Sequence, residues 1–330
     1  MSHVAKPSLI FSILAALTGG AVMAVAQQGV TSKRFTATDE YTGQIEGPAV
    51  DPNGNLYVVN FSKPGTIGRI KAGANVSEQF AMLPILPPAK GQSPIQSRGS
   101  GIRFDRQGRM YVAAFNTHRI FVFEPDQTTP QVYFEAAFNQ PNDIAITADG
   151  TLYASDPARS AKTGQIWRIT RDANGKGKGQ IMTSTRLKMG ITNGIDLSPD
   201  DQTLYVSESV TGQIWSYRIE GNHLKNHDML ISFHTDVDGL RTDADGTIFV
   251  ARPDEGVIGM LKPDKTALPD IKTEGKSPNN LTFGGPDGRT VFVTQVVQKA
   301  NPKDNKGYVE SFRAERPGRE FCKRFGGTLC

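Results

Sequence analysis

Polar and apolar residues alternate along this chain in short runs that recur six times. Each run is followed by a turn rich in Asp, Asn and Gly, and then by a second run rich in Tyr, Phe and Val. Alternation with a period of two predicts β-strands, and such turn residues supply the positive φ angles that a tight hairpin needs. The six copies are EGPAVDPNGNLYVVN from Glu46, SGIRFDRQGRMYVAA from Ser100, NDIAITADGTLYASD from Asn142, NGIDLSPDDQTLYVSE from Asn193, DGLRTDADGTIFVAR from Asp238 and NNLTFGGPDGRTVFVTQ from Asn279.

The spacing of the copies predicts the fold. Their starts lie 54, 42, 51, 45 and 41 residues apart, and most copies continue with a glycine and a third strand such as GQIWRIT or GQIWSYRI. A fourth strand fits before the next copy, and no stretch shows helical periodicity over ten residues. Six four-stranded units at this period predict an all-β chain folded as a six-bladed β-propeller. The segment 32–40 is expected to add the outer strand of the last blade and so to close the ring.

The N-terminus differs from the rest of the chain. Lys6 precedes the apolar run SLIFSILAALTGGAVMAVA, which ends in Ala24-Val25-Ala26. A charged residue, an apolar run and a small-x-small site are typical of a signal peptide, here residues 1–26. An uncleaved anchor is the alternative, because the run is long enough to span a bilayer. We expect cleavage and export to the periplasm or the medium, with residues 27–330 forming one propeller domain with a short C-terminal tail and no stable membrane span.

The charge and the cysteine content of the chain indicate which partners and which compartment to expect. The net charge is +4, and the basic residues are scattered without aromatic interleaving, so no nucleic-acid surface is expected. The two cysteines, Cys322 and Cys330, lie at the C-terminus, where an exported chain can oxidise them to a disulfide.

Aligning the copies on their turns places six oxygen-bearing side chains at one mouth of the channel. The first residue of the innermost strand of each blade lies there, which gives Glu46, Ser100, Asn142, Asn193, Asp238 and Asn279. We call these six residues the mouth ring. Any one of them could be a turn former that satisfies its own backbone. Two carboxylates and three amides in register instead favour a hard divalent cation, because like carboxylates repel unless a cation lies between them.

Four short motifs in the correct blades carry a family resemblance. EGP at 46–48, PND at 141–143, TNG at 192–194 and VDG at 237–239 resemble the regucalcin/gluconolactonase family of six-bladed propellers, which is related to diisopropyl fluorophosphatase. The resemblance covers about residues 40–315. It implies a divalent metal on Glu46, Asn142, Asn193 and Asp238, with Ca²⁺ favoured and Zn²⁺, Mn²⁺ or Mg²⁺ possible.

The resemblance also implies an activity. Asp238 would be the catalytic base of a metal-dependent lactonase, an exported hydrolase acting on a small cyclic ester. Substrate contacts are expected from Ser100 and Asn279 of the mouth ring and from Asp156 and Arg252, whose strands return to the same mouth. Gln140 replaces an arginine that holds substrate in the sugar-lactone enzymes. The alternative is a propeller that binds a ligand or a protein at this mouth without catalysis, since fold alone does not fix function.

Overall fold

A computed structural model describes residues 30–36, 40–87, 93–186, 188–325 and 330. The proposed signal peptide, residues 1–26, lies outside the described residues. Within them the secondary structure is almost entirely β, and six antiparallel sheets correspond to the six sequence copies.

The strand bounds follow the repeats closely. Two short strands, β1 (Lys33–Arg34) and β2 (Tyr41–Thr42), precede the first blade. Blade one contains β3 (Glu46–Val50), β4 (Leu56–Val59), β5 (Thr66–Ile70) and β6 (Ser77–Met82). A small hairpin, β7 (Ile85–Leu86) and β8 (Ile95–Gln96), leads to blade two, which contains β9 (Gly99–Phe104), β10 (Met110–Ala114), β11 (Arg119–Phe123) and β12 (Gln131–Glu135).

The next two blades have longer middle strands. Blade three contains β13 (Ile144–Ile146), β14 (Leu152–Ala158), β15 (Thr163–Arg171) and β16 (Gly177–Ile181), with a 3₁₀ turn at Arg159–Ala161. Blade four contains β18 (Ile191–Leu197), β19 (Thr203–Ser209), β20 (Gln213–Glu220) and β21 (His223–Ser232), and the short β17 (Thr183–Ser184) pairs in parallel with β21.

The last two blades complete the ring. Blade five contains β22 (Leu240–Thr242), β23 (Ile248–Arg252), β24 (Val257–Leu261) and β25 (Ala267–Lys272). Blade six contains β26 (Pro278–Gly284), β27 (Thr290–Val297) and β28 (Lys306–Arg313), with a 3₁₀ turn at Pro302–Asp304. The N-terminal β1 pairs antiparallel with β28 as the outer strand of blade six, which confirms the predicted closure. One helix, α1 (Arg319–Phe325), follows in the described part of the tail.

The hairpin turns form for the reason expected from sequence. In blades one, two and five the turn begins with an aspartate, Asp51, Asp105 or Asp243, whose Oδ1 accepts the backbone N–H groups two and four residues later. Gly54 and Gly108 then take φ near +80°, a region that favours glycine. These contacts fix the register of the two inner strands in each of these three blades.

The apolar core is divided among the interfaces between blades. Successive residues of a strand face opposite neighbouring blades, so Tyr111 packs with blade three while Met110 and Val112 pack with blade one. Both faces of each inner strand are therefore buried, which explains runs as apolar as MYVAA. The innermost strands of consecutive blades contact one another around the channel.

The C-terminal segment closes the channel at the end opposite the mouth ring. Gly318 N donates to Gly288 O in the turn of blade six. Arg319 donates to Ser198 O (3.0 Å) in the turn of blade four and to Ile146 O (2.9 Å) at the end of β13 in blade three. Cys322 and Cys330 lie paired as a disulfide in the tail. Among the described residues, no helix has the length and apolar character needed to cross a membrane.

Candidate functional site at the channel mouth

Neighbouring members of the mouth ring lie against one another, as the aligned turns predict. Gly101 N donates to Asn142 O (2.8 Å), and Gly239 N donates to Asn279 O (2.9 Å), so the starts of adjacent inner strands are joined by backbone hydrogen bonds. Ser100 Oγ also donates to Asn142 Oδ1 (2.9 Å). The mouth ring is therefore a contiguous structure formed by different blades.

The Asn193 amide is held by its nitrogen. Its Nδ2 donates to Ser209 Oγ (2.8 Å), and Ser209 Oγ donates in turn to Val237 O (2.9 Å). Because this chain fixes the donor end, Oδ1 is the free end, and it accepts no hydrogen bond from the described residues. An amide held in this way presents an oxygen rather than an N–H group, as a cation ligand must.

Glu46 is a carboxylate with one oxygen occupied. Its Oε2 accepts from Gly47 N and from Asn280 Nδ2, both at 2.9 Å. Burial raises the pKa of Glu46 to about 7, and the charge of Asp143 adds to this shift, while the two hydrogen bonds and the charge of Arg241 oppose it. Glu46 therefore lies where its ionised form is costly without a further positive charge.

Asp238 lacks the hydrogen bonds that Glu46 accepts. Its carboxylate accepts no hydrogen bond from the described residues, although the side chain is partly buried. Burial raises the pKa of Asp238 well above its usual range, and the charges of Glu46 and Asp236 raise it further, against a smaller opposing effect of Arg159. The two carboxylates of the mouth ring thus repel each other in a desolvated place.

This donor set fits a divalent cation. Among the described residues no group of three His, Cys, Asp or Glu side chains could hold a metal, so a site at the mouth must combine two carboxylates with amide oxygens. An all-oxygen set of that kind suits a hard cation such as Ca²⁺. The two charges of Glu46 and Asp238 would then be compensated.

The four side chains expected to contact substrate are all engaged within the protein. Ser100 donates to Asn142, and Asn279 donates to Ile45 O (2.6 Å) while it accepts from Thr294 Oγ1 (2.6 Å). Arg252 pairs with Asp270 (2.8 Å) and with Glu255, and its guanidinium lies over the Phe233 ring. The substrate roles of these residues stay predictions.

Asp156 shows the same engagement most completely. It is fully buried, and its two oxygens accept hydrogen bonds from five donors. These donors are Asn139 N, Asn139 Nδ2, Gln140 N, Gln165 Nε2 and Trp167 Nε1. The carboxylate therefore fixes the loop that leads into Asn142. Gln140, whose side chain replaces the family arginine, takes part in this network through its backbone.

Sequence reasoning missed the residues directly below the mouth ring. The next position of the inner strand is glycine in four blades, but it is Asp143 in blade three and Asn280 in blade six. The glycines leave room for them: a Cβ at residue 101 would lie 2.8 Å from Asp143 Oδ1, and one at residue 239 would lie 2.2 Å from Asn280 Oδ1. The break in the glycine pattern was a signal for both residues.

A second buried group of charges lies further down the channel. We call it the inner cluster; it consists of Arg103, Arg241 and Arg319 with Asp143, Asp196 and Glu320. Arg241 pairs with Asp143 at 2.7 and 3.1 Å, and Arg103 pairs with Glu320 of α1 at 2.8 Å. The sequence signal was a charge in an otherwise apolar inner strand, as in GIRF, GLRT and GIDL.

Comparison with known proteins finds a matching family and several relatives. Residues 97–297 match the model of the family described as SMP-30/Gluconolactonase/LRE-like region, a match that spans three of the four proposed ligands and omits Glu46. The gluconolactonase of Zymomonas mobilis is 26% identical over 276 residues, which cover 76% of this chain and 75% of that protein. The diisopropyl-fluorophosphatase of Loligo vulgaris is 25% identical over an alignment that covers 88% of this chain and 96% of that protein.

The fold is shared with solved structures of lower identity. The structure of a calcium-binding protein, regucalcin, from Agrobacterium tumefaciens superposes with a TM-score of 0.67 at 19% identity, covering 87% of this chain and 97% of that one. At this identity the likeness shows the fold alone.

Proposed function

The chain belongs to the SMP-30/gluconolactonase/LRE-like family, and from this membership we propose that it is a metal-dependent lactonase that hydrolyses a small cyclic ester at the channel mouth. One observation carries the proposal. Glu46 and Asp238 are two desolvated carboxylates to which no described residue offers a cationic hydrogen-bond partner, and no described donor occupies the Asn193 oxygen.

Each residue has a chemical task in this proposal. Glu46, Asn142, Asn193 and Asp238 would hold the cation. Asn142 Oδ1 also accepts from Ser100 Oγ, and an amide oxygen has a second lone pair for a cation. When bound, a divalent cation polarises the lactone carbonyl and acidifies water. Asp238 would accept the proton of the attacking water, because its carboxylate lies at the mouth and accepts no hydrogen bond from any described residue.

Calcium is the cation that we propose. The donor set contains only oxygen ligands, and the Agrobacterium relative is named as a calcium-binding protein. Zn²⁺, Mn²⁺ and Mg²⁺ are the competitors in the experiment below.

We also propose that the protein is exported to the periplasm or the medium. The apolar run that ends at Ala24-Val25-Ala26 supports cleavage after residue 26, and the Cys322–Cys330 disulfide is typical of an oxidising compartment. Mass spectrometry of the mature protein should find Gln27 at its N-terminus. A mature chain that retains the apolar run would contradict cleavage.

Metal removal combined with a substrate panel tests the activity. The protein is stripped with a chelator, reloaded separately with the four cations, and assayed on sugar-acid lactones, aliphatic lactones, aryl esters and a phosphotriester. We expect lactone turnover to disappear on stripping and to return best with Ca²⁺. Turnover in the stripped protein would refute metal dependence. Metal binding without turnover on any substrate would favour the non-catalytic binding propeller.

A further inference from the structure

The amide of Asn280 has its orientation imposed from below. Its Oδ1 accepts from Arg241 Nη2 (3.1 Å) and from Leu281 N (2.8 Å). With the oxygen end held by two donors, the NH₂ end must face the mouth, where Nδ2 donates to Glu46 Oε2. The two ends of an amide are nearly equal in size, so these donors decide which end Glu46 meets.

Arg241 is itself held rigidly. Its guanidinium is buried, and Asp143 binds it through both oxygens, at 2.7 Å to Nη1 and 3.1 Å to Nη2. A two-point pair of this kind fixes the plane of the guanidinium. Nη2 bonds both Asp143 and Asn280, so one cation links the residue after Asn142 to the residue that holds Glu46.

We propose that Arg241 and Asn280 are positioning residues of the metal site. Arg241 fixes the Asn280 amide, and Asn280 occupies Oε2 of Glu46, which leaves Oε1 without a hydrogen bond from any described residue and available to a cation. This inference rests on the proposed function, since it concerns the affinity of the mouth for its metal. Partners that orient a metal ligand typically change metal affinity by roughly 10- to 100-fold.

Calorimetric titration with Ca²⁺, Zn²⁺, Mn²⁺ and Mg²⁺, each added to stripped protein, tests the proposal without an activity assay. Asn280→Leu removes the donor to Glu46 at similar volume and leaves the ion pair of Arg241 and Asp143 intact. Arg241→Met removes the cation. Arg103→Met is its matched control, because Arg103 is also buried and also pairs with Asp143, but its second partner is Glu320 rather than Asn280. We expect the tightest-binding cation to bind roughly 10- to 100-fold more weakly to Asn280→Leu and Arg241→Met, and within about threefold of wild type to Arg103→Met.

A double variant separates positioning from folding. Arg241→Met leaves Asp143 short of its main partner, so it should lower the melting temperature. Adding Asp143→Asn removes the unpaired charge, and we expect the melting temperature to recover while the metal affinity stays weak. If Arg241→Met does not fold, the metal affinities of Asn280→Leu and of the double variant test the proposal.

The outcomes are distinct. Wild-type affinity in Asn280→Leu would overturn the proposal, and so would an equal loss in Arg103→Met, which would mark a general effect of packing. If wild type binds none of the four cations, the metal dependence of the proposed function fails together with this inference. If wild type binds and the variants bind equally well, only the inference fails.

Discussion

The two ends of the channel hold their buried charges differently. At the mouth, Glu46 and Asp238 have no guanidinium or ammonium within hydrogen-bonding distance among the described residues. In the inner cluster, three guanidinium groups and three carboxylates pair with one another. Burial raises the pKa of Asp196 as well, but Arg319, Arg241 and Arg103 oppose that shift. Compensation by the chain itself makes the inner cluster structural, and its absence at the mouth leaves two charges for a ligand.

Removing a carboxylate from the mouth should reduce catalysis and spare the fold. For Asp238→Asn we expect kcat on the best lactone to fall by about 100- to 10,000-fold, the usual contribution of a general base. The stability of the stripped protein should not decrease, because a desolvated charge is removed. Steady-state kinetics and urea unfolding measure the two effects.

Asp236→Asn is the matched control for that change. Asp236 is a nearby carboxylate whose Oδ1 accepts the N–H of Val210 (2.8 Å) and of Val237 (3.0 Å). It should lose less than about tenfold in kcat, well below the roughly 100-fold lower limit for removal of a base. Turnover near wild type in Asp238→Asn would refute its role as the base.

Removing a guanidinium group from the inner cluster should lower the stability of the fold and spare catalysis. Arg319→Met removes the cation that pairs with Asp196 and Asp201 and the donor to two backbone carbonyls, and breaking a buried pair costs about 3–5 kcal/mol of unfolding free energy. Urea unfolding measures this loss, and KM for the lactone should not change.

The surface pair of Arg316 and Asp245 offers the comparison for this variant. Arg316→Met should cost less than about 1 kcal/mol, because exposed ion pairs contribute little. Equal losses in the two variants would contradict the structural role assigned to the inner cluster.

The Glu46 carboxyl at the mouth should also make the stability of the metal-free protein depend on pH. Since the pKa of Glu46 is raised to about 7 in the folded state, the folded protein retains a proton that the unfolded chain releases near pH 4.5. Stability should therefore fall as the pH rises from about 4.5 to 7, by roughly 3 kcal/mol.

Unfolding of stripped protein across this pH range measures the effect. Glu46→Gln should flatten the profile, and saturating metal should remove the fall. A stripped wild-type profile as flat as that of Glu46→Gln would show that the mouth carboxylates are compensated within the chain.

The smallest expected effect concerns the tail that closes the far end. The Cys322–Cys330 bridge spans a sequence separation of 8, and a loop this short contributes about 2–3 kcal/mol in the chain-entropy model. The double variant Cys322→Ser/Cys330→Ser should lose that amount of unfolding free energy and keep its kcat. Reductant should lower the stability of wild type and leave the double variant unchanged, and a loss of kcat would instead link the tail to the mouth.

Much of the architecture could be read from the chain because hairpins are local. The Asp-Gly turns fix the register of the inner strands, and register fixes which residue of each copy reaches the mouth. The blades, the outer strand supplied by the N-terminus and the adjacency of Ser100 and Asn142 follow from that register. The inner cluster did not follow, because the partners of Asp143 lie 40 and 98 residues away in other blades.

The sequence by itself determined which oxygen-bearing residues stand at the mouth, since that depends only on a repeat and a turn. Tertiary structure decided which of their oxygens remain available. Asn279 has both ends of its amide occupied by Ile45 O and Thr294, whereas Asn193 is held by Ser209 at its nitrogen alone. The physical reason is that hydrogen-bond partners come from neighbouring strands and blades, whose positions a repeat pattern does not specify.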